Sequence, residues 1–330
     1  MSPSPIASLV RPAPAPPTLL APLDPEMQRL YGEATHLAVG RLPVLIVGET
    51  GVGKEHLAEV LHDRSPRAAQ PFIRINCAAV TESLFESELF GHERGAFTGG
   101  DREKPGLLEA AGRGTVFLDE VGELPPVLQA KLLRALGTGA AHRVGGLSAR
   151  TIEARFVSAT NRDLAAAVAA GAFRVDLYHR LAGAVLRVPP LRARGSEIVP
   201  LAESFARAAA QDLGRAPVAL TPDARAALRA RPWWGNVREL RNVVERAVLL
   251  ARDGSITPAH LGDSAAPPPA PPAPPASLSA PDRRAQVERA LADAGGNQKR
   301  AAKHLGIDRR TLSRWLDRLA IARPRKPSAL

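Results

Sequence analysis

The chain has 330 residues, a formal net charge of +11 and one cysteine, Cys77. That length accommodates about two to three domains. A lone cysteine excludes an intrachain disulfide and points to a reducing compartment, and no apolar run approaches the roughly 18 residues of a membrane helix. The N-terminus lacks a basic leader and is interrupted by prolines, so a cytoplasmic protein with no membrane partner is expected. The charge is uneven: residues 281–330 hold 13 Lys and Arg against 5 Asp and Glu, which marks a polyanion partner, nucleic acid first.

In chain order, residues 1–23 are Pro/Ala-rich without periodicity and read as a disordered lead. From Asp24 to Arg192, apolar β-type runs (Val44–Val47, Phe72–Asn76, Thr115–Leu118, Arg155–Ala159, Ala184–Val188) alternate with helical patterns. That alternation predicts an α/β fold with a parallel sheet and ligand chemistry at the strand ends. The organising stretch is Val44–Val47 followed by Gly48-Glu49-Thr50-Gly51-Val52-Gly53-Lys54-Glu55. It matches the phosphate-cradling pattern G-x-x-x-x-G-K in its strand–loop–helix setting. The glycines let backbone N–H groups turn onto phosphates, a helix N-terminus adds its dipole, and Lys54 adds a point charge. Glu55 stands where Ser or Thr would reach Mg²⁺, so the metal must lean on residues elsewhere. ATP and Mg²⁺ are the expected ligands.

The next chemistry lies in GTVFLDEVGELP (114–125), a buried-type strand ending in two carboxylates. Asp119 would hold Mg²⁺ and Glu120 would take a proton from the attacking water; alone, such a pair also fits a helix cap. FVSATNRDL (156–164) ends another strand in Thr160 and Asn161, which could sense the γ-phosphate or form a turn. FRVDLYHRLAG carries Arg174 and Arg180 with no local acidic partner read from sequence; such arginines are usually solvated, though in a phosphoryl-transfer enzyme they can be supplied to a neighbouring subunit. Cys77 follows an apolar run and reads as a small buried residue. Between the first two motifs lies GHERGAFTGG (91–100), a glycine-rich loop that either exposes Phe97 beside Thr98 for contact with a partner or is a β-turn with Phe97 tucked into the core.

After residue 192 the pattern becomes helical. Asn236 reads as an N-cap for a helix with Val237, Leu240, Val244, Ala247, Val248 and Ala251 on one stripe, leaving Arg238 and Arg241 off it; Trp233 and Trp234 read as packing anchors. Residues 267–275 (PPPAPPAPP) form a stiff spacer. Three short helices follow, from Arg283, from the Asn297 cap and from Asp308, the last displaying Arg309, Arg310, Ser313 and Arg314 opposite its apolar stripe. With Thr311, these are the candidate DNA-binding residues of a helix-turn-helix.

Taken together, GETGVGKE, ESELFGHERGAFTGG, GTVFLDEVGELP, ATNRDL, FRVDLYHRL and WWGNVRELRNVVERAV resemble, in order, the bacterial enhancer-binding proteins. These are AAA+ ATPases that activate sigma-54 RNA polymerase, and the C-terminus is similar to their Fis-type helix-turn-helix. The resemblance implies an AAA+ α/β subdomain over 24–192, a helical lid over 193–262, a linker over 263–281, a DNA-binding domain over 282–322 and a basic tail over 323–330. It implies that Asn76 is a switch asparagine acting on Glu120, that Thr160 and Asn161 are sensor I, and that Arg174 and Arg180 are trans arginine fingers. Arg238 would be sensor II, and Gly95, Ala96, Phe97, Thr98, Gly99 and Gly100 the sigma-54-contacting loop. Family members work as ring oligomers, usually hexamers, on upstream enhancer DNA, and Glu55 is normal among them. Three departures stand out: Gly100 replaces Ala at the end of GAFTGA, Trp234 replaces the proline of WPGN, and the loop before sensor I, Gly137 to Arg150, is richer in Gly and Ala than usual. No sensory domain is read in these residues, so control by a regulatory protein in trans is expected. The competing readings are a DNA-binding repressor or architectural factor with a vestigial ATPase, and a remodeller of another protein.

Overall fold

A computed structural model describes residues 10–11, 22–78, 82–96, 102–251, 253–263, 280–295, 297–305, 312, 315, 316, 319 and 321. The sheet is six-stranded, in the order Val10–Arg11, Phe72–Asn76, Thr115–Asp119, Arg155–Thr160, Val44–Val47, Ala184–Arg187. All neighbours are parallel except the first pair. Within the segment read as a disordered lead, Val10–Arg11 pairs antiparallel with Phe72–Ile73. The Phe72–Asn76 strand would otherwise be an open edge with free N–H and C=O groups, and the extended β-branched Val10 segment satisfies part of it.

Both faces of the sheet are covered, as parallel strands require. Side chains alternate along each strand, so Leu45, Ile73, Ile75, Val116, Leu118 and Phe156 pack with the helices Glu82–Phe90, Pro126–Thr138 and Val175–Leu181. Val44, Ile46, Phe72, Phe117 and Val157 instead pack with Pro25–Ala38 and Lys54–Asp63. Buried Arg155 joins the strand to the Pro25–Ala38 helix without a carboxylate: its guanidinium donates to the carbonyls of Ala38 (2.7 Å), Leu37 (2.8 Å) and Leu42 (3.4 Å). A cation at a helix C-terminus satisfies orphan carbonyls and complements the dipole.

The lid comprises helices Ile198–Asp212, Pro222–Ala230, Asn236–Leu250 and Pro258–Leu261 around a separate core. Fully buried Trp233 anchors it, donating Nε1–H to the Leu228 carbonyl at 2.8 Å. Trp234 departs from expectation: it is 38% exposed, with the Arg192 guanidinium over its ring. Asn236 does not cap its own helix either. It sits inside the first turn at φ 54°, and its amide faces the phosphate loop instead. In the second compact unit, helices Ala280–Asp293 and Gln298–His304 bury Val287, Ala290, Leu291, Ala301 and Ala302 with Leu312 and Leu316. Asn297 Oδ1 accepts from Arg300 N at 3.2 Å, an N-cap as read.

His62, on the inner face of the Lys54–Asp63 helix, pairs Nδ1 with Thr115 Oγ1 at 3.0 Å and leaves Nε2 without a partner. Burial pushes its pKa below the ordinary value. The unfolded chain takes up this proton as pH falls through about 6.5, before the folded chain does, so stability declines on the acid side. Denaturant unfolding of His62→Gln should show a shallower loss of stability between pH 6.5 and 5, by up to about 1.4 kcal/mol per pH unit; an unchanged slope would remove His62 as its source.

Candidate nucleotide site

The phosphate loop leaves the buried Val44–Val47 strand at Gly48 and enters the Lys54–Asp63 helix at Gly53. Gly51 and Gly53 have φ of 77° and 106°, the region where a side chain is strained. A Cβ at Gly51 would also lie 2.5 Å from the Gly235 carbonyl oxygen. Lys54 is 6% exposed; its Nζ donates to the Gly48 carbonyl (2.9 Å) and the Glu49 carbonyl (3.2 Å), and lies 3.7 Å from Glu120 Oε1. Burial lowers its pKa, opposed by the charges of Glu120 and Asp119.

Sheet order puts the ends of three adjacent strands together: Gly48 beyond Val47, Asn161 beyond Thr160, and Asp119 with Glu120. Burial and then the neighbouring Glu120 charge raise the pKa of Asp119, as crowding of two acids does. Glu120 Oε2 accepts from Asn161 N at 3.1 Å, and Asn161 Nδ2 donates to Thr50 Oγ1 at 2.9 Å. Thr160 is buried, its Oγ1 accepting from Arg162 N at 3.1 Å. A cleft of about 510 Å³ opens here, lined among others by Lys54, Asp119, Glu120, Arg238 and Arg241.

Several residues are placed differently from their reading. The Glu49 side chain turns away from the loop interior onto Arg192 (2.8 and 2.5 Å) and Asn236 Nδ2 (3.1 Å); the Arg192 hydrogen bond heads the causes holding its carboxyl below the usual range. Glu55 pairs with Arg74, which also holds Glu59. Asn76 stands in register with Asp119, yet its Oδ1 accepts from Ala78 N (2.9 Å) in a local turn, while Glu120 is taken by Lys54 and Asn161. Arg174 does have a local acid, contrary to expectation. From its N-cap position it reaches over the first helical turn to Asp176, Nε at 3.0 Å and Nη2 at 2.7 Å. Arg180 is exposed with no ion pair among the described residues. Neither arginine lines the cleft.

Gly95 and Ala96 are described, Ala96 N donating to Glu93 O at 3.2 Å. Phe97, Thr98, Gly99 and Gly100 lie outside the described residues, as do Arg309, Arg310, Thr311, Ser313 and Arg314.

Other site residues carried no motif. Arg194, buried against Glu197 at 2.9 Å, donates to the Val52 carbonyl at 2.6 Å. A smaller, mostly apolar pocket of about 100 Å³ lies beside Val52 and Gly53, walled by Tyr31, Leu57, Val188, Leu201 and Val237. Burial pushes the Tyr31 hydroxyl up to about 12, so it stays a neutral donor.

Comparison with known proteins agrees with this architecture. The model of the sigma-54 interaction domain matches residues 20–187, that of the AAA+ ATPase lid domain residues 192–276, and that of the bacterial regulatory protein Fis family residues 284–319. The chain is 44% identical over 303 residues to the Nif-specific regulatory protein of Azotobacter vinelandii, covering 90% of this chain and 58% of that protein. It is 42% identical over 307 residues to the response regulator protein PilR of Pseudomonas aeruginosa, covering 90% and 69%. The crystal structure of NtrX from Brucella abortus in complex with ATP aligns with a TM-score of 0.68 at 35% identity, over 92% of this chain and 69% of that one. Against the Nif regulator, then, this chain spans little more than half of the relative's length. With a sigma-54 interaction domain over half the chain, a helical lid and a Fis-type segment in that order, the chain belongs to the sigma-54-dependent enhancer-binding protein family.

Proposed function

We propose that this chain is an ATPase that binds upstream DNA through its Fis-type segment and uses hydrolysis, in a ring of identical subunits, to remodel sigma-54 RNA polymerase for promoter opening. One observation carries the reading. A buried lysine, an acid pair and a polar strand end converge on a glycine-rich loop within a sigma-54 interaction domain. The residues fit a nucleotide: positive-φ glycines make the cradle, Lys54 neutralises phosphate, and the apolar pocket beside Val52 suits a base. Asp119 would hold Mg²⁺, which when bound would neutralise charge on the phosphates. Among the described residues no group of three or more His, Cys, Asp or Glu is set to hold a metal, so phosphate and water oxygens would complete its shell.

These contacts support a division of labour among the residues. Lys54 rests on loop carbonyls and on Glu120. An arriving phosphate competes for that ammonium, freeing the Glu120 carboxylate to accept a proton from water while Asn161 N still orients it. Asn161, bonded to Thr50, reports loop occupancy to the central strand. Arg238 faces the cleft from the lid. Arg180 is free to serve a neighbouring subunit, and Arg174 would have to exchange Asp176 for that role. Asn76 would act as a switch only after leaving its local turn. The Gly95–Gly100 loop would carry the motion to sigma-54, and Arg309, Arg310, Thr311, Ser313 and Arg314 would contact DNA. Such a transcription factor would work in the cytoplasm, under a partner acting in trans.

The decisive assay is ATP-dependent open-complex formation by purified sigma-54 polymerase with this chain added. Glu120→Gln should bind ATP but lose about 10²–10⁴ in turnover; near-native turnover would displace Glu120 as the base. Thr98→Ala should keep ATPase activity and lose open complexes, and retention of both would refute the loop assignment. Arg180→Ala should lower turnover by about 10³. Mixing it with an inactive Lys54→Ala chain should recover part of the activity, because each supplies what the other lacks across an interface. No recovery in mixed assemblies would argue that Arg180 does not act in trans.

A further inference from the structure

Glu49 poses an electrostatic problem that its motif position does not solve. It places a carboxylate on the loop expected to receive a polyanion, and its own carbonyl takes a hydrogen bond from Lys54 Nζ at 3.2 Å. An unscreened acid there would repel the triphosphate and compete for the lysine. The structure answers with a stack. Arg192, on the 3₁₀ turn Leu191–Ala193 that leads into the lid, meets Glu49 with both terminal nitrogens, at 2.8 and 2.5 Å. Its guanidinium lies over the Trp234 ring, 5.4 Å from the centroid. Asn236 finishes the arrangement: Nδ2 reaches Glu49 Oε2 and the Thr50 carbonyl, each at 3.1 Å, while Oδ1 accepts from Leu191 N at 2.8 Å. The same amide therefore fixes the turn that carries Arg192.

We infer that Arg192, held on the face of Trp234, is a positioning residue that neutralises Glu49 and keeps its carboxylate off the phosphate site, making nucleotide affinity depend on the lid's docking. The inference rests on the nucleotide reading above. It assigns a task to Trp234, which stands where the resembling family has proline. The aromatic face pre-sets the guanidinium plane for a two-point contact with the carboxylate. Because Asn236 lies in the lid and Arg192 on the turn leading into it, a lid that swung away would release Glu49 toward the phosphates and weaken binding.

The test is a titration of the full chain with a fluorescent ATP analogue at low salt, with thermal melting as a control for folding. Arg192→Gln should weaken affinity about tenfold, the scale of one unscreened charge near a polyphosphate. Glu49→Gln alone should tighten it by a comparable factor, because Arg192 is then an uncompensated cation near the phosphates. The double variant Arg192→Gln/Glu49→Gln should return to within about twofold of the unaltered chain, a recovery that lost packing alone would not give. Trp234→Ala should weaken affinity about two- to fivefold, Trp234→Phe less, and Glu49→Gln should rescue Trp234→Ala too; this second arm serves if Arg192→Gln fails to fold. A fluorescent ADP analogue, with less charge, should show smaller changes throughout. A double variant no better than its parent in both arms overturns the inference. An unaltered chain that binds neither analogue overturns the nucleotide reading itself, which separates the two failures.

Discussion

A loop that turns its N–H groups toward a phosphate must find partners elsewhere for its carbonyls, and the site depends on how that requirement is met. From Gly48 to Gly53 each carbonyl has a named donor. Lys54 Nζ serves Gly48 and Glu49, Asn236 Nδ2 serves Thr50, the backbone N–H groups of Val237 and Arg238 serve Gly51, Arg194 serves Val52 and Leu57 N serves Gly53. Three of these six positions are satisfied from beyond residue 190. The loop is thus half base and half lid in its bonding. The absence of a Cβ at Gly51 matters for the same reason: the Gly235 carbonyl lies in the space one would fill. Lid and cradle meet as backbone against backbone, which leaves little slack between nucleotide occupancy and lid position.

The chemistry at the other side of the cleft follows from strand order. Parallel strands deliver their C-terminal ends to one edge of the sheet. Placing Arg155–Thr160 between Thr115–Asp119 and Val44–Val47 sets a polar strand end between an acid pair and a lysine loop. Asn161 is the residue in that middle seat, and it bonds to both sides, to Glu120 through its backbone and to Thr50 through its amide.

Much of this was legible in the chain itself. The runs Val44–Val47, Phe72–Asn76 and Thr115–Leu118 are short, apolar and bounded by turn residues, so strand type and the location of the chemistry followed from pattern. Asp119, Glu120 and Asn161 sit at or just beyond strand ends and Lys54 opens the helix after the loop, and their contacts gather them. Contacts made across long sequence separation were not legible. Arg192 and Asn236 lie 143 and 187 residues from Glu49, and no local periodicity announces that an acid in a phosphate motif will face outward to meet them. The N-cap reading of Asn236 failed for a related reason: an amide can cap its own helix or satisfy a distant carbonyl, and sequence does not say which demand is greater. Arg174 was misread at short range, because Asp176 looks like part of the helix's first turn rather than a partner folded back over it.

The acid pair itself needs a break in the strand. In extended backbone successive side chains point to opposite faces, so Asp119 and Glu120 could not both serve one cleft if the strand simply continued. Glu120 resolves this by adopting φ 52° and ψ 46°, a left-handed conformation costly for a residue with a side chain. The turn ends the strand, starts the 3₁₀ segment Val121–Glu123, and swings the carboxylate toward Lys54 and the Asn161 N–H. Those two contacts, with the Asp119 Oδ1 bond to Glu120 N at 3.0 Å, hold the strained residue in place. Because Lys54 is one of the holding groups, anything that draws its ammonium away loosens Glu120 at the same moment. On the proposed reading of Glu120 as the base, phosphate arrival and its release would be two sides of one electrostatic exchange.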